Sequence, residues 1–99
     1  MAYQLIIKQE AISDTSDAYF YYEAQQTGLG DRFLNMLLEC YQKLEQNPQF
    51  YSFVAADKEH TMRDLKIRDF PFLIIFDVHG SEVIVYAVHN CYKRPISFP

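Results

Sequence analysis

The sequence predicts an α+β domain with the element order β-α-α-β-β-β, in which a helical hairpin packs on a small antiparallel sheet. Three observations predict this fold. Apolar residues recur at helical spacing on both sides of a turn that contains Gly28 and Gly30. One β-rich stretch precedes these helices, and three follow them. The last two stretches are joined by a short segment containing Gly80, which is typical of a β-hairpin.

The first strand and the first helix are predicted from a change of period. Residues Tyr3 to Lys8 are short, β-rich and almost continuously apolar, as in a strand covered on both faces. From Glu10 to about Gln26 apolar residues return at helical spacing, with acidic residues on the other faces. Gly28 is predicted to end this helix, because glycine enters the left-handed conformation without a Cβ clash.

The second helix is predicted to open near Asp31 and to end at Asn47 and Pro48. The stretch "GLGDRF" invites comparison with glycine-rich phosphate loops, but the third glycine of the dinucleotide pattern is replaced by Phe33. Asp31 would also repel a phosphate. The sequence therefore favours a tight turn between two helices over a phosphate site.

The remaining chain is predicted to be a loop followed by the three later strands. Residues Pro48 to Thr61 show no clean period, although their aromatic rings should be covered. The strands are expected over Met62 to Arg68, Phe70 to Val78 and Glu82 to about Asn90.

Length and composition indicate one soluble domain spanning residues 1–99. Sixteen per cent of the residues are aromatic, so we expect many of these rings to lie in the core or at an interface. Apolar stretches are far shorter than the roughly 20 residues that cross a bilayer. The start has charges and no small-residue cleavage site, and Cys40 and Cys91 are isolated. We therefore expect a cytoplasmic protein without signal peptide, membrane contact or disulfide framework.

The net charge of −4 arises in the first half of the chain. Residues 1–50 hold three basic and seven acidic residues, whereas residues 51–99 hold six of each. A large nucleic-acid footprint is therefore not expected, although a local basic site remains open. No histidine, cysteine or acidic residues show the spacing of metal ligands, so we expect neither a metal nor a cofactor.

Several segments, taken in order, resemble the RelE/ParE superfamily of bacterial toxins from type II toxin–antitoxin systems, and ParE-like members most. They are "LIIKQEA", an Asp and a Tyr-Tyr pair in the first helix, "GLGDRFL", "NPQFY", Arg63, "FPFLIIF" and "VIVYAVHNCYKRP". The resemblance implies a toxin that acts by binding a protein, usually DNA gyrase. It also implies a cognate antitoxin that neutralises the toxin by adding a strand to a sheet edge or a helix to an apolar groove.

RelE-like relatives provide the alternative function, a ribosome-dependent mRNA endoribonuclease that needs no metal. Such a reaction requires a base, a cation beside the phosphate and an acid. The candidate catalytic residues for this alternative are Arg63, His89 and Tyr92. A family member that has lost its toxicity is a third alternative.

The candidate residues for contact with a target or an antitoxin are Lys66, Arg68, Lys93 and Arg94. In strand alternation Lys66 and Arg68 share one face, where they could form a basic patch or simply keep the surface soluble. By parity His89 groups with Val83, Val85 and Ala87, which favours a histidine in the core or at its rim. Arg63 could instead pair with an acid, and Tyr92 could serve packing.

The chain also departs from the family pattern at positions that matter for chemistry. His89 and Asn90 stand where family members commonly have Phe-His. Lys93 lies two residues before Pro95, where they commonly have an arginine. Asp77 occupies a position that is often basic, and Phe72 replaces a frequent tyrosine. These departures and the acidic net charge favour protein binding over RNA cleavage, because neutralising RNA phosphates releases counterions.

Overall fold

The computed structural model describes residues 2–92 and contains two helices and four strands. The helices are α1 (Gln9–Gln25) and α2 (Leu29–Gln46), and the strands are β1 (Gln4–Ile7), β2 (Arg63–Lys66), β3 (Phe72–His79) and β4 (Glu82–Asn90). A single 3₁₀ turn over Pro48–Phe50 follows α2. The α+β class and the order β-α-α-β-β-β are therefore confirmed.

The sheet has the strand order β1-β4-β3-β2 and is mixed rather than wholly antiparallel. Strands β2, β3 and β4 pair antiparallel as expected, whereas β1 pairs parallel to β4, with Leu5 beside Val83. The β3–β4 hairpin makes β4 antiparallel to β3, and β4 lies between β1 and β3 in the sheet. Strand β4 therefore runs in the same direction as β1, and these two strands pair parallel.

Strand β2 is shorter than predicted. It ends at Lys66, and residues 67–70 turn back toward β3 with Asp69 in the left-handed region at φ 72°. The Lys66 ammonium donates to the carbonyls of Ile67 and Phe70 at 3.0 and 2.6 Å, and so stabilises the turn. Strand alternation therefore does not extend to Arg68.

A β-bulge divides β4 into two parts. Ile75 pairs with Ala87 while the next residue of β3, Phe76, pairs with Val85, so Tyr86 is an extra residue on β4. Because paired residues share a face, the bulge reverses the alternation. Val85 lies on the helix-covered face, whereas Ala87 and His89 lie on the other face. The parity prediction that grouped His89 with Val83 and Val85 is therefore wrong.

The core lies between the helices and one face of the sheet. Its centre is an aromatic cluster in which Phe33 lies 5.2 Å from Phe72 and 5.3 Å from Phe70, and Tyr22 lies 4.9 Å from Phe70 between ring centroids. Aliphatic side chains from α2, β3 and β4 complete it, among them Leu37, Leu44, Ile74, Val83 and Val85. In residues 2–92 neither helix is long and apolar enough to cross a membrane.

Candidate binding surfaces

The turn between the helices is closed by the carboxylate of Glu23. Its Oε1 accepts hydrogen bonds from the backbone N–H groups of Gly28 at 3.0 Å and Gly30 at 2.9 Å. These are the donors that a phosphate at the start of α2 would use. An internal carboxylate already occupies them, which agrees with the prediction of a structural turn.

The two glycines of this turn serve different purposes. Gly28 has φ 91° and is the residue that precedes α2, so it opens the second helix rather than ending the first. Gly30 lies inside α2, where an added Cβ would come within 2.7 Å of the Tyr19 backbone oxygen. The small residue therefore allows the two helices to approach closely.

An apolar groove runs between α1 and α2. Ile12 and Leu38 stand at its rim with 49% and 56% of their surface exposed, and Leu34, Leu37 and Tyr41 contribute to its floor. Burial raises the pKa of Tyr41 to about 12, so this hydroxyl remains neutral under physiological conditions. Exposed apolar side chains that adjoin one another commonly mark a docking surface.

Arg63 is held by the segment that leads into β2. Its Nη1 donates to the carbonyl of Tyr51 at 2.6 Å and to that of Gln49 at 3.4 Å. Its guanidinium also lies 4.0 Å from the centroid of the Phe53 ring. Backbone carbonyls and an aromatic ring, rather than an acid, hold this guanidinium, so Arg63 connects the loop to the sheet.

Lys66 and Arg68 point toward different surroundings. The Lys66 ammonium is engaged by the turn at residues 67–70. Arg68 approaches the Met36 sulfur of α2 at 3.9 Å and borders a shallow groove with Glu39, Lys43 and the exposed ring of Phe50. Arg68 is thus the more accessible of the two cations. The other two candidates, Lys93 and Arg94, lie outside the described residues.

His89 and Tyr92 lie near the end of β4. His89 is half-buried on the sheet face opposite the helices. Tyr92 is 86% exposed, and its backbone N–H donates to Asn90 Oδ1 at 2.9 Å. Its side chain borders a cleft between α1 and the β3–β4 ends, which we call the tyrosine cleft; Asp14, Asp17, Tyr21, Tyr22 and Asn90 also line it.

The structure does not bring Arg63, His89 and Tyr92 together. Arg63 pairs with Phe76 on the helix-covered face, whereas His89 pairs with Leu73 on the opposite face. Phe76 and Leu73 are three residues apart on β3, which is about 10 Å along a strand. The sheet itself therefore separates the Arg63 guanidinium from the His89 imidazole.

Asp77, where the RelE/ParE resemblance led us to expect a basic residue, contacts a histidine on the same strand. Its Oδ2 lies 2.7 Å from His79 Nε2, and the Asp77 side chain is 14% exposed. This part of the sheet surface therefore carries a carboxylate next to an imidazole. The arrangement does not present the fixed positive charge that phosphate binding would use.

Sequence reasoning did not identify the role of Asp14. Its Oδ2 accepts a hydrogen bond from the backbone N–H of Val88 at 3.0 Å, between α1 and β4. Burial raises the pKa of this carboxyl, the Val88 N–H opposes that shift, and the nearby charges of Glu10 and Asp17 add to it. Only its place in an acidic helix was visible in the sequence, because the partner is a backbone group far along the chain.

The fold of this chain is shared with a protein of known structure. No family model matches the chain, and no curated protein matches it significantly. Among solved structures, a chain of the chromosomal ParDE TA (toxin–antitoxin) system from P. aeruginosa superimposes with a TM-score of 0.76. The fold is ParE-like. The match covers 90% of this chain and 96% of the neighbour at 18% sequence identity, so the ParE-like fold is shared although most side chains differ.

Proposed function

We propose that this chain is the toxin component of a type II toxin–antitoxin system, that it acts in the cytoplasm by binding DNA gyrase, and that a cognate antitoxin neutralises it. The observation that carries this proposal is the apolar groove between α1 and α2 on a ParE-like fold. The groove offers an antitoxin segment a surface to cover. An amphipathic helix with apolar residues three and four positions apart would fit such a groove.

Protein binding is favoured over RNA cleavage by the arrangement of the candidate residues. Arg63 is engaged by carbonyls, and the sheet lies between it and His89. Metal-independent cleavage would need a base, a cation and an acid around one phosphate. The acidic net charge also weakens long-range attraction to RNA.

The antitoxin part of the proposal is tested by co-expressing the chain with the product of the neighbouring gene. We expect a complex at micromolar concentration and a Kd that rises about tenfold or more in the Ile12→Asp, Leu38→Asp variant. Phe20→Asp is the matched control, because Phe20 is 67% exposed on α1 but does not line the groove. Failure to form a complex, or equal loss in the control, would contradict this part.

The target is tested by producing the chain without the antitoxin and assaying gyrase and translating extract in parallel. We expect inhibited supercoiling and intact messages. Message cleavage that disappears with Arg63→Ala or Tyr92→Phe would instead support the endoribonuclease. Growth that continues normally without the antitoxin, with neither effect, would indicate a member that has lost its toxicity.

A further inference from the structure

The tyrosine cleft is a concave surface that shares no lining residue with the apolar groove. It lies between α1 and the ends of β3 and β4. Tyr22 forms its inner wall, where the ring packs edge-on against Phe70 and Phe72. Tyr21 and Tyr92 stand at the rim and are 61% and 86% exposed. Exposed aromatic rings such as these are enriched where proteins contact a partner.

The cleft also carries negative charge. Asp14 and Asp17 are three residues apart on α1, so their side chains lie on the same side of the helix. Asp14 uses Oδ2 to accept the Val88 N–H, and Asp17 is exposed. Among the described residues that line the cleft, none is basic. A cation from a partner would therefore meet two carboxylates that no lining side chain neutralises.

The combination of rings and carboxylates favours a guanidinium over other cations. A planar guanidinium stacks on tyrosine rings and donates to carboxylates through several N–H groups, whereas an ammonium does neither as well. A metal ion would need more ligands, and within residues 2–92 no three His, Cys, Asp or Glu side chains form a metal-binding group.

We infer that the tyrosine cleft binds an arginine side chain presented by a basic segment of a protein partner. Asp14 and Asp17 pair with the guanidinium, and the rings of Tyr21 and Tyr92 cover its faces. Charge complementarity favours a basic partner, because residues 1–50 carry four more acidic than basic residues and two of those acids lie in this cleft. The inference does not depend on the proposed toxin function, because a peptide without any antitoxin sequence can test it.

The experiment titrates the full ¹⁵N-labelled chain with the peptide acetyl-Gly-Arg-Gly-amide and follows backbone amide resonances. We expect saturable shifts at Tyr21, Tyr22 and Asn90. The same peptide with citrulline, which is similar in shape but uncharged, should bind about tenfold more weakly. Asp17→Asn should weaken arginine binding about fivefold, and Tyr21→Leu should weaken it by a similar factor.

Asp31→Asn is the matched control, since it removes the same charge from an exposed position outside the cleft. Equal binding of both peptides, equal loss in the Asp17 and Asp31 variants, or shifts away from the cleft would each overturn the inference. A titration of the Lys93→Ser, Arg94→Ser variant shows whether the cation comes from a partner or from this chain's own Lys93 and Arg94. Binding that occurs only in this variant would overturn the inference in favour of the chain's own basic residues.

Discussion

The carboxylate of Asp14 on α1 accepts a 3.0 Å hydrogen bond from the backbone N–H of Val88 on β4. Strand β1 pairs with β4 only from Glu82 to Val85, so this N–H lies beyond the end of the neighbouring strand. A side chain from the helix layer thus satisfies a backbone group just after the bulge. This contact connects the helical hairpin to the part of β4 that lines the tyrosine cleft.

Removing the Asp14 acceptor should destabilise the fold. Asp14→Ala is expected to lower the free energy of unfolding by about 1–3 kcal/mol, because it leaves the Val88 N–H without its partner. Asp14→Asn keeps an acceptor and loses the charge. Burial raises the pKa of Asp14 above its usual 3.8, so the folded protein holds the Asp14 proton more tightly than the unfolded chain does. The contribution of this proton to the free energy of unfolding is full below pH 3.8 and is lost as the pH rises through the raised pKa.

At pH 7 the Asp14→Asn variant should therefore be at least as stable as the natural chain. Urea unfolding of both variants at pH 7 measures the difference, with Asp17→Asn as a control for the removed charge. Equal destabilisation by Asn and Ala would show that the negative charge itself holds the Val88 N–H.

Glu23 is expected to stabilise the turn between the helices. Glu23→Ala should lower the free energy of unfolding by about 1 kcal/mol, because the amides of Gly28 and Gly30 lose their shared acceptor. Glu23→Gln retains one oxygen and should cost less. Thermal unfolding compares the variants, and Glu39→Ala on the surface of α2 is the control; equal effects at both positions would contradict a specific role.

Gly30 should tolerate no larger residue. Alanine ordinarily favours a helix over glycine by about 1 kcal/mol, but here its Cβ would clash with the Tyr19 backbone oxygen. We expect Gly30→Ala to destabilise the fold by about 1–3 kcal/mol. Calorimetric melting measures the change, and an increase in melting temperature would show that α1 and α2 can separate at little cost.

Arg63 is expected to act mainly through structure. Arg63→Ala should destabilise the fold by about 1–3 kcal/mol, since the Tyr51 carbonyl loses its donor and the Phe53 ring its cation. Arg68→Ala is the control and should change stability by less than about 0.5 kcal/mol. Urea unfolding checks both. Unchanged stability together with lost toxicity would return Arg63 to the list of catalytic candidates.

Asp57 should make the loop before β2 sensitive to acid. It accepts hydrogen bonds from the backbone N–H groups of Met62 at 2.7 Å and Thr61 at 2.9 Å, and these hold the pKa of its carboxyl below the usual 3.8. A lowered pKa means that the stabilisation is present above pH 3.8 and is lost as the pH falls through the lowered value. Protonation should therefore release the loop.

Hydrogen exchange of the Thr61 and Met62 amides checks the Asp57 prediction. Their protection factors should be lower at pH 2.5 than at pH 6. The protection factor of the Val85 amide in the core of the sheet should stay the same, so this amide serves as the internal control. Protection factors that fall equally at all three amides would indicate global unfolding and would contradict a local effect.

Local sequence signals predicted the helices and the β3–β4 hairpin well. The apolar stripe of α2 is buried at Leu37, Tyr41 and Leu44, as helical periodicity requires. The turn between the helices occurs where Gly28 and Gly30 allow it. These features depend on interactions between residues that are close in sequence, so a short window of sequence carries the necessary information.

The sequence failed where a distant contact decides the result. Nothing in "VIVYAV" distinguishes a regular strand from one with a bulge at Tyr86, and this one residue moves His89 to the opposite face. Similarly, the direction of β1 relative to its neighbour depends on which strand fills the centre of the sheet. Asp14 shows the same limit, because its partner, the Val88 N–H, lies far along the chain on β4.

By itself, the sequence determined the α+β class, the helical hairpin and the excess of acidic residues, since each follows from local periodicity or from composition. The tertiary structure decided the mixed sheet, the separation of Arg63 from His89, and the two concave surfaces beside α1. The physical reason is that a surface is made by side chains from several elements. Its shape and charge exist only after long-range packing has set the register and distance between those elements.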